Sequence, residues 1–137
     1  MIGLLILAQK DFVAGLIAAA AHTLGERPAQ LEGVGVDFSQ TPEPMEDTIA
    51  RAVKNVDCGD GVLILADVYG ATHTNTACRL LVRGRIELVT GVNLPMLLRV
   101  LNYRRLGMDD LIDKALSGGC GGIVCAANIP ALREAGG

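Results

Sequence analysis

Short apolar runs and stretches of helical spacing take turns along the whole chain. Ile2 to Leu7 and Gly61 to Ala66 are nearly unbroken apolar runs, the signature of a parallel strand covered on both faces. Leu31 to Val36 and Arg85 to Thr90 read as further strands, the first of them weaker, and Gly121 to Ala126 as a short final one. Between them, Phe12 to Thr23 predicts an alanine-rich helix followed by Gly25 and the turn Arg27-Pro28. Thr41-Pro42 opens a second helix, with Thr41 as N-cap, Pro42 at the first position and Glu43 in the first turn. Its apolar stripe is Met45, Ile49, Ala52 and Val53. Helices over Thr74 to Val82, Leu94 to about Arg105, and Met108 to Leu116 complete the pattern.

Strands joined by helices require right-handed crossovers and a parallel sheet. The expected fold is α/β: a doubly wound, mainly parallel sheet with helices on both faces and a switch point beside the first strand. That switch brings the loop after strand one close to the loop after strand three. Three loops then share the carboxyl edge: Ala8 to Asp11, Asp67 to Asn75, and Gly91 to Pro95. One domain over residues 1–130 and a flexible tail over 131–137 are expected.

Composition narrows the classes. Half of the 137 residues are hydrophobic, yet only Phe12, Phe38, Tyr69 and Tyr103 are aromatic, so packing rests on aliphatic side chains. A net charge of −3 argues against nucleic acid, and no apolar run is long enough to span a bilayer. MIGLLIL lacks the basic flank and cleavage-type ending of a signal peptide, which makes it a core strand and the protein cytoplasmic. Arg99, Arg104 and Arg105 cluster near Tyr103 on a helix, as a solvated face or as a patch for an acidic partner. Cys58, Cys78, Cys120 and Cys125 form no CxxC pair, so buried free thiols are expected, with no metal site and no cofactor.

The chemistry concentrates at the carboxyl edge. The edge has neither a GxxxxGK[ST] loop nor a GxGxxG turn, which disfavours nucleoside triphosphates and dinucleotides. Two of its loops lead straight into helices, whose unpaired first amides suit an anion. Asp67 caps its own turn or orients a neighbour, and Asn93 suits an N-cap. Thr72, Thr74 and Asn75 are turn and cap residues or phosphate and partner contacts. His22 lies late in an apolar helix and reads as structural or surface. His73 shares its loop with Asp67, and an imidazole held by a carboxylate is a competent nucleophile or base.

MIGLLILA, GVLILADVYGATHTNTACRL, VTGVNLPMLLRVL, LGMDDLIDKAL and the terminal GGIV together resemble the IIA domain of the mannose-family sugar phosphotransferase system, over nearly the whole chain. The resemblance implies a cytoplasmic homodimer whose last, antiparallel edge strand is exchanged between subunits. It also implies a phosphoryl group taken from the carrier protein HPr on a histidine and passed to a IIB domain. That histidine falls at Gln9, whose amide nitrogen is not a nucleophile although it can imitate a histidine's hydrogen bonds. Asp67 matches the orienting aspartate, Thr72 the hydroxyl of the same turn and Asn93 the GVNLP loop, while His73 stands where proline is usual. Lys10 attracts a phosphate and Asp11 repels one.

Three functions follow. The first is a degenerate IIA-like component acting through HPr-like and IIB-like contacts rather than histidine phosphotransfer. The second is an active phosphocarrier using His73, with the direction of its ring relative to Asp67 left open. The third is a small-anion sensor.

Overall fold

The computed structural model describes residues 1–37 and 42–136. Four strands, β1 (Gly3–Gln9), β2 (Leu31–Val36), β3 (Val62–Ala66) and β4 (Ile86–Val89), form one wholly parallel sheet in the order β2-β1-β3-β4. Both inner strands are buried but for Gln9 at the end of β1: Leu4 to Ala8 and Val62 to Ala66 have no exposed surface. The edge strands are patchily buried, which is why β2 reads weakly in the sequence.

Helices α1 (Lys10–Leu24), α4 (Leu94–Asn102) and α5 (Met108–Gly121) cover one face, packing Val13, Leu16, Leu97 and Leu111 on Leu4, Ile6, Leu63 and Leu65. Helices α2 (Pro42–Val56) and α3 (Thr72–Cys78) cover the other, where Met45, Ile49, Val53 and Ala77 meet Leu5, Leu7, Val62 and Ile64. Alternate residues of each inner strand thus face opposite cores, as a two-residue period demands. The Met45, Ile49, Ala52 and Val53 stripe is buried as its spacing predicts. The Thr41 cap expected for α2 lies outside the described residues. Among the described residues no helix is long and apolar enough to cross a membrane.

The C-terminal side differs from its expected outline. Within the single chain the strand expected over Gly121 to Ala126 is not paired: α5 continues to Gly121, and 122–125 pairs with no strand among the described residues. The glycines that read as a helix end let α5 lie close against α4 instead. A Cβ on Gly118 would stand 2.7 Å from Arg99 Cβ, and one on Gly119 2.8 Å from Met96 Cε. Past them only Ile123 and Val124 are left as an apolar pair, 76% and 55% exposed, too short a run to pay its own way without a second strand. Beyond a 3-10 turn at Ala126–Asn128 lies a further short helix, α6 (Pro130–Gly136), whose first residue Pro130 suits a helix start.

The cysteines are also misplaced by the sequence reading. All four are free but exposed, because each lies in a loop, at a helix end or in the segment after α5 rather than on a core face. The basic cluster is split. α4 stops at Asn102, and Arg104 turns inward, 5% exposed. Its Nε and Nη2 donate to Ile2 O at 3.1 and 3.0 Å, Nη2 also to Gln30 O at 2.7 Å, and Nη1 to Ala29 O. Burial pushes the guanidinium below its ordinary value. Arg104 is a clamp on chain carbonyls at the amino edge of the sheet, leaving Arg99 and Lys114 against Tyr103 at 5.8 and 4.4 Å from its ring centre.

Candidate functional site

The carboxyl ends of β1 and β3 lie side by side at the switch point, since β1 pairs with β2 on one side and β3 on the other. Their register sets Leu7 beside Ala66, and just past that last pair Asp67 leaves β3 where β1 runs on through Ala8 to Gln9. Gln9 N–H donates to Asp67 Oδ2 at 3.2 Å, tying the two loops together. β2 sits close behind. A Cβ on Gly35 would stand 2.7 Å from Lys10 Cα, so glycine is needed there for α1 to start where it does.

Gln9 is the N-cap of α1, and its side chain folds back onto its own helix. Oε1 accepts from Asp11 N at 2.9 Å and from Phe12 N at 3.1 Å, and Nε2 donates to Asp11 Oδ2 at 3.3 Å. Two of the orphan amides that make a helix start attractive to an anion are therefore already taken. Lys10, the first residue of α1, is exposed.

Asp67 gathers the second loop. Oδ1 accepts from Val68 N at 2.8 Å and lies 2.6 Å from His73 Nε2. Burial pushes the Asp67 carboxyl up, but the His73 hydrogen bond and the amides of Val68 and Gln9 outweigh it and hold the carboxyl below its ordinary value. An ionised carboxylate only accepts, so the shared proton sits on Nε2 of His73. Nδ1 has no hydrogen-bond partner among the described residues. The residue as a whole is 8% exposed.

The rest of the loop is braced by hydroxyls. Thr74, 1% exposed, donates to Val68 O at 2.7 Å, and Thr76 donates to Thr72 O at 2.7 Å. Asn75 Nδ2 donates to Gly70 O at 3.3 Å. Asn93 caps α4 through Met96 N at 2.9 Å while its Nδ2 donates to Gly119 O at 3.2 Å, fastening α4 to α5.

Of the residues singled out from sequence, Gln9, Asp67 and His73 form one connected group. Thr72 is exposed and, with His73, Ala71 and Gly70, lines a cleft of about 350 Å³ closed on its far side by Val36, Asp37 and Met45. Thr74 and Asn93 spend their polar groups inside the protein. Thr76 and Gly35 were not singled out; a second threonine four residues after Thr72 and a glycine inside a strand were the available signals. No group of three or more potential metal ligands occurs among the described residues.

Comparison with known proteins adds to this geometry. A family model described as "PTS system fructose IIA component" matches residues 3–116. The chain is 31% identical over 121 residues to the PTS system fructose-specific EIIA component of Bacillus subtilis, covering 85% of this chain and 82% of that one. It is 32% identical over 126 residues to the PTS system mannose-specific EIIAB component of Escherichia coli, covering 88% of this chain but only 38% of that longer protein. Among solved structures it is similar to the phosphotransferase system component EIIA of Streptococcus agalactiae, with a TM-score of 0.83 at 24% identity over 93% of this chain and 99% of that one. It is also similar to the mannose/sorbose-specific IIA subunit of Enterococcus faecalis, at 0.79 and 18% over 90% and 93%. At those identities the structural likeness speaks for the fold.

Proposed function

The chain belongs to the mannose-type IIA family of the bacterial sugar phosphotransferase system, and from that premise we propose that it works by docking HPr-like and IIB-like proteins while residue 9 carries no phosphoryl group. The observation that carries this reading is the state of Gln9. Its nitrogen is part of an amide and offers no lone pair for attack on phosphorus. Its oxygen fills the helix amides that an incoming phosphate oxygen would use. The surroundings suit a protein partner: Phe12, Val68 and Tyr69 stand around the crevice 41%, 55% and 87% exposed. Acidic Asp11 and Asp67 in the same place work against the small-anion sensor. A cytoplasmic location goes with these partners. A homodimer is part of the proposal, supported by the open edge of β4 and the uncovered Ile123 and Val124.

The test is incubation with phosphoenolpyruvate, enzyme I and HPr, followed by peptide mapping of the intact adduct. Wild type carries no phosphoryl on residue 9, and Gln9→His gains an acid-labile one there. Failure of Gln9→His to accept any phosphoryl group from HPr contradicts the docking surface. Sedimentation velocity tests the dimer.

A further inference from the structure

We propose that His73 is a phosphoryl-accepting residue, through Nδ1, for a donor docked at the carboxyl edge of the sheet. The inference rests on the docking reading above and adds to it a modification site on a different loop from residue 9.

Four observations bear on it. Nε2 of His73 is pinned by Asp67 Oδ1 at 2.6 Å, which fixes both the ring plane and the tautomer. Nδ1 then carries the free lone pair and has no hydrogen-bond partner among the described residues. The ring forms part of the wall of an open cleft of about 350 Å³, with the exposed Thr72 beside it. Asp67 is itself held by the amides of Val68 and Gln9, so the orienting group cannot swing away when the ring reacts. A carboxylate-oriented imidazole with its second nitrogen open is an activated nucleophile.

The step balances without a further reactant. The Nδ1 lone pair attacks the phosphorus of a phosphohistidine on the docked donor, a new N–P bond forms, and the donor's N–P bond breaks with its electron pair returning to the donor imidazole. No proton has to cross. The Nε2 proton of His73 stays on the ring, where Asp67 offsets the positive charge that develops as the N–P bond forms.

The full chain is incubated with phosphoenolpyruvate, enzyme I and HPr, and the mass, acid lability and phosphorus NMR shift of the product are read. The expected product carries one acid-labile phosphoryl group on Nδ1 of His73. It is lost in His73→Ala and in His73→Gln, the latter keeping a donor toward Asp67, with both variants checked for native circular dichroism. An unmodified wild type overturns the inference, as does an acid-stable adduct on Thr72 or an adduct on His22 or on Nε2. Gln9→His, run in parallel, separates the two failures. A phosphorylated Gln9→His beside an unmodified wild type leaves the docking reading standing and removes this one; both proteins unmodified removes both.

Discussion

Asp67→Asn keeps the shape of the side chain and removes its charge, which makes it the sharpest probe of how the two loops are joined. The carboxylate accepts from three donors, Val68 N and His73 Nε2 on Oδ1 and Gln9 N on Oδ2. A carboxamide has one acceptor oxygen. If that oxygen serves Val68 and His73, the amide nitrogen faces the N–H of Gln9, leaving a half-buried donor unmet at a cost of about 1–3 kcal/mol. The remaining bonds also lose their charge assistance. We expect a total of about 2–3 kcal/mol at neutral pH, with hydrogen bonds to charged groups worth about 1.5–3 kcal/mol each as the guide. At roughly 3–5 °C per kcal/mol for a domain of this size, Tm falls by about 6–15 °C. The pH dependence follows from the depressed carboxyl. Its folded value lies below the unfolded value of about 3.9, so the stabilisation is fully present above that pH. It is lost as pH falls through the folded value, because the unfolded chain binds the proton first. The gap between wild type and Asp67→Asn therefore closes below about pH 4, and the lowered Asp57 and Asp60 carboxyls, present in both proteins, cancel from the difference. Urea unfolding from pH 7 to pH 3 measures it. A cost under about 0.5 kcal/mol at pH 7, or a gap that widens in acid, refutes the account of Asp67 as the tie between the loops.

Three further outcomes follow. Arg104→Ala strips donors from the carbonyls of Ile2, Ala29 and Gln30 and should cost about 3–5 kcal/mol by chemical denaturation, with Arg104→Lys recovering part of it; an Ala variant within 1 kcal/mol of wild type, read as about a 3–5 °C shift, argues against the clamp. Gln9→Ala removes the α1 cap and should cost about 1 kcal/mol while freeing the Asp11 and Phe12 amides, so sulfate raises the Tm of the variant more than that of wild type. Gly35→Ala forces a Cβ against the Lys10 backbone and should lower Tm by several degrees, on the order of the 1–3 kcal/mol of an overpacked site, with amide exchange quickening first in β2 and the start of α1.

Much of this fold can be read from the order of its residues because the two central strands are so apolar. Val62 to Ala66 has no polar residue to compete with a buried strand, and Asp67 marks where burial ends. Leu31 to Val36 is found to the residue from valines on alternate positions. The reading fails where glycine has two meanings. Gly118 and Gly119 look like the end of a helix but are the contact by which α5 packs on α4, and nothing local to the sequence distinguishes the two roles. Arg104 fails for a similar reason: a charge next to Arg105 looks like surface, and only the carbonyls of Ile2, Ala29 and Gln30, far away in sequence, explain its burial. The site was legible as a place because the switch point is a consequence of topology. The roles inside it were less so. Thr74 and Asn93 have the chemistry of ligand contacts, and both turn it inward to hold their loops.

What the sequence leaves open at His73 is decided by how one carboxylate shares out its acceptor sites. Asp67 Oδ2 takes the Gln9 amide and Oδ1 the Val68 amide, which leaves one acceptor site on each oxygen from which an imidazole can be oriented. His73 holds the one on Oδ1 at 2.6 Å. A glutamine at residue 9 makes no claim on that position, since its side chain is spent on the first turn of α1. A histidine at residue 9 would find the remaining site on Oδ2, the oxygen that already faces its loop. The two departures from the family pattern meet at Asp67, and the Gln9→His variant tests whether one carboxylate orients both rings.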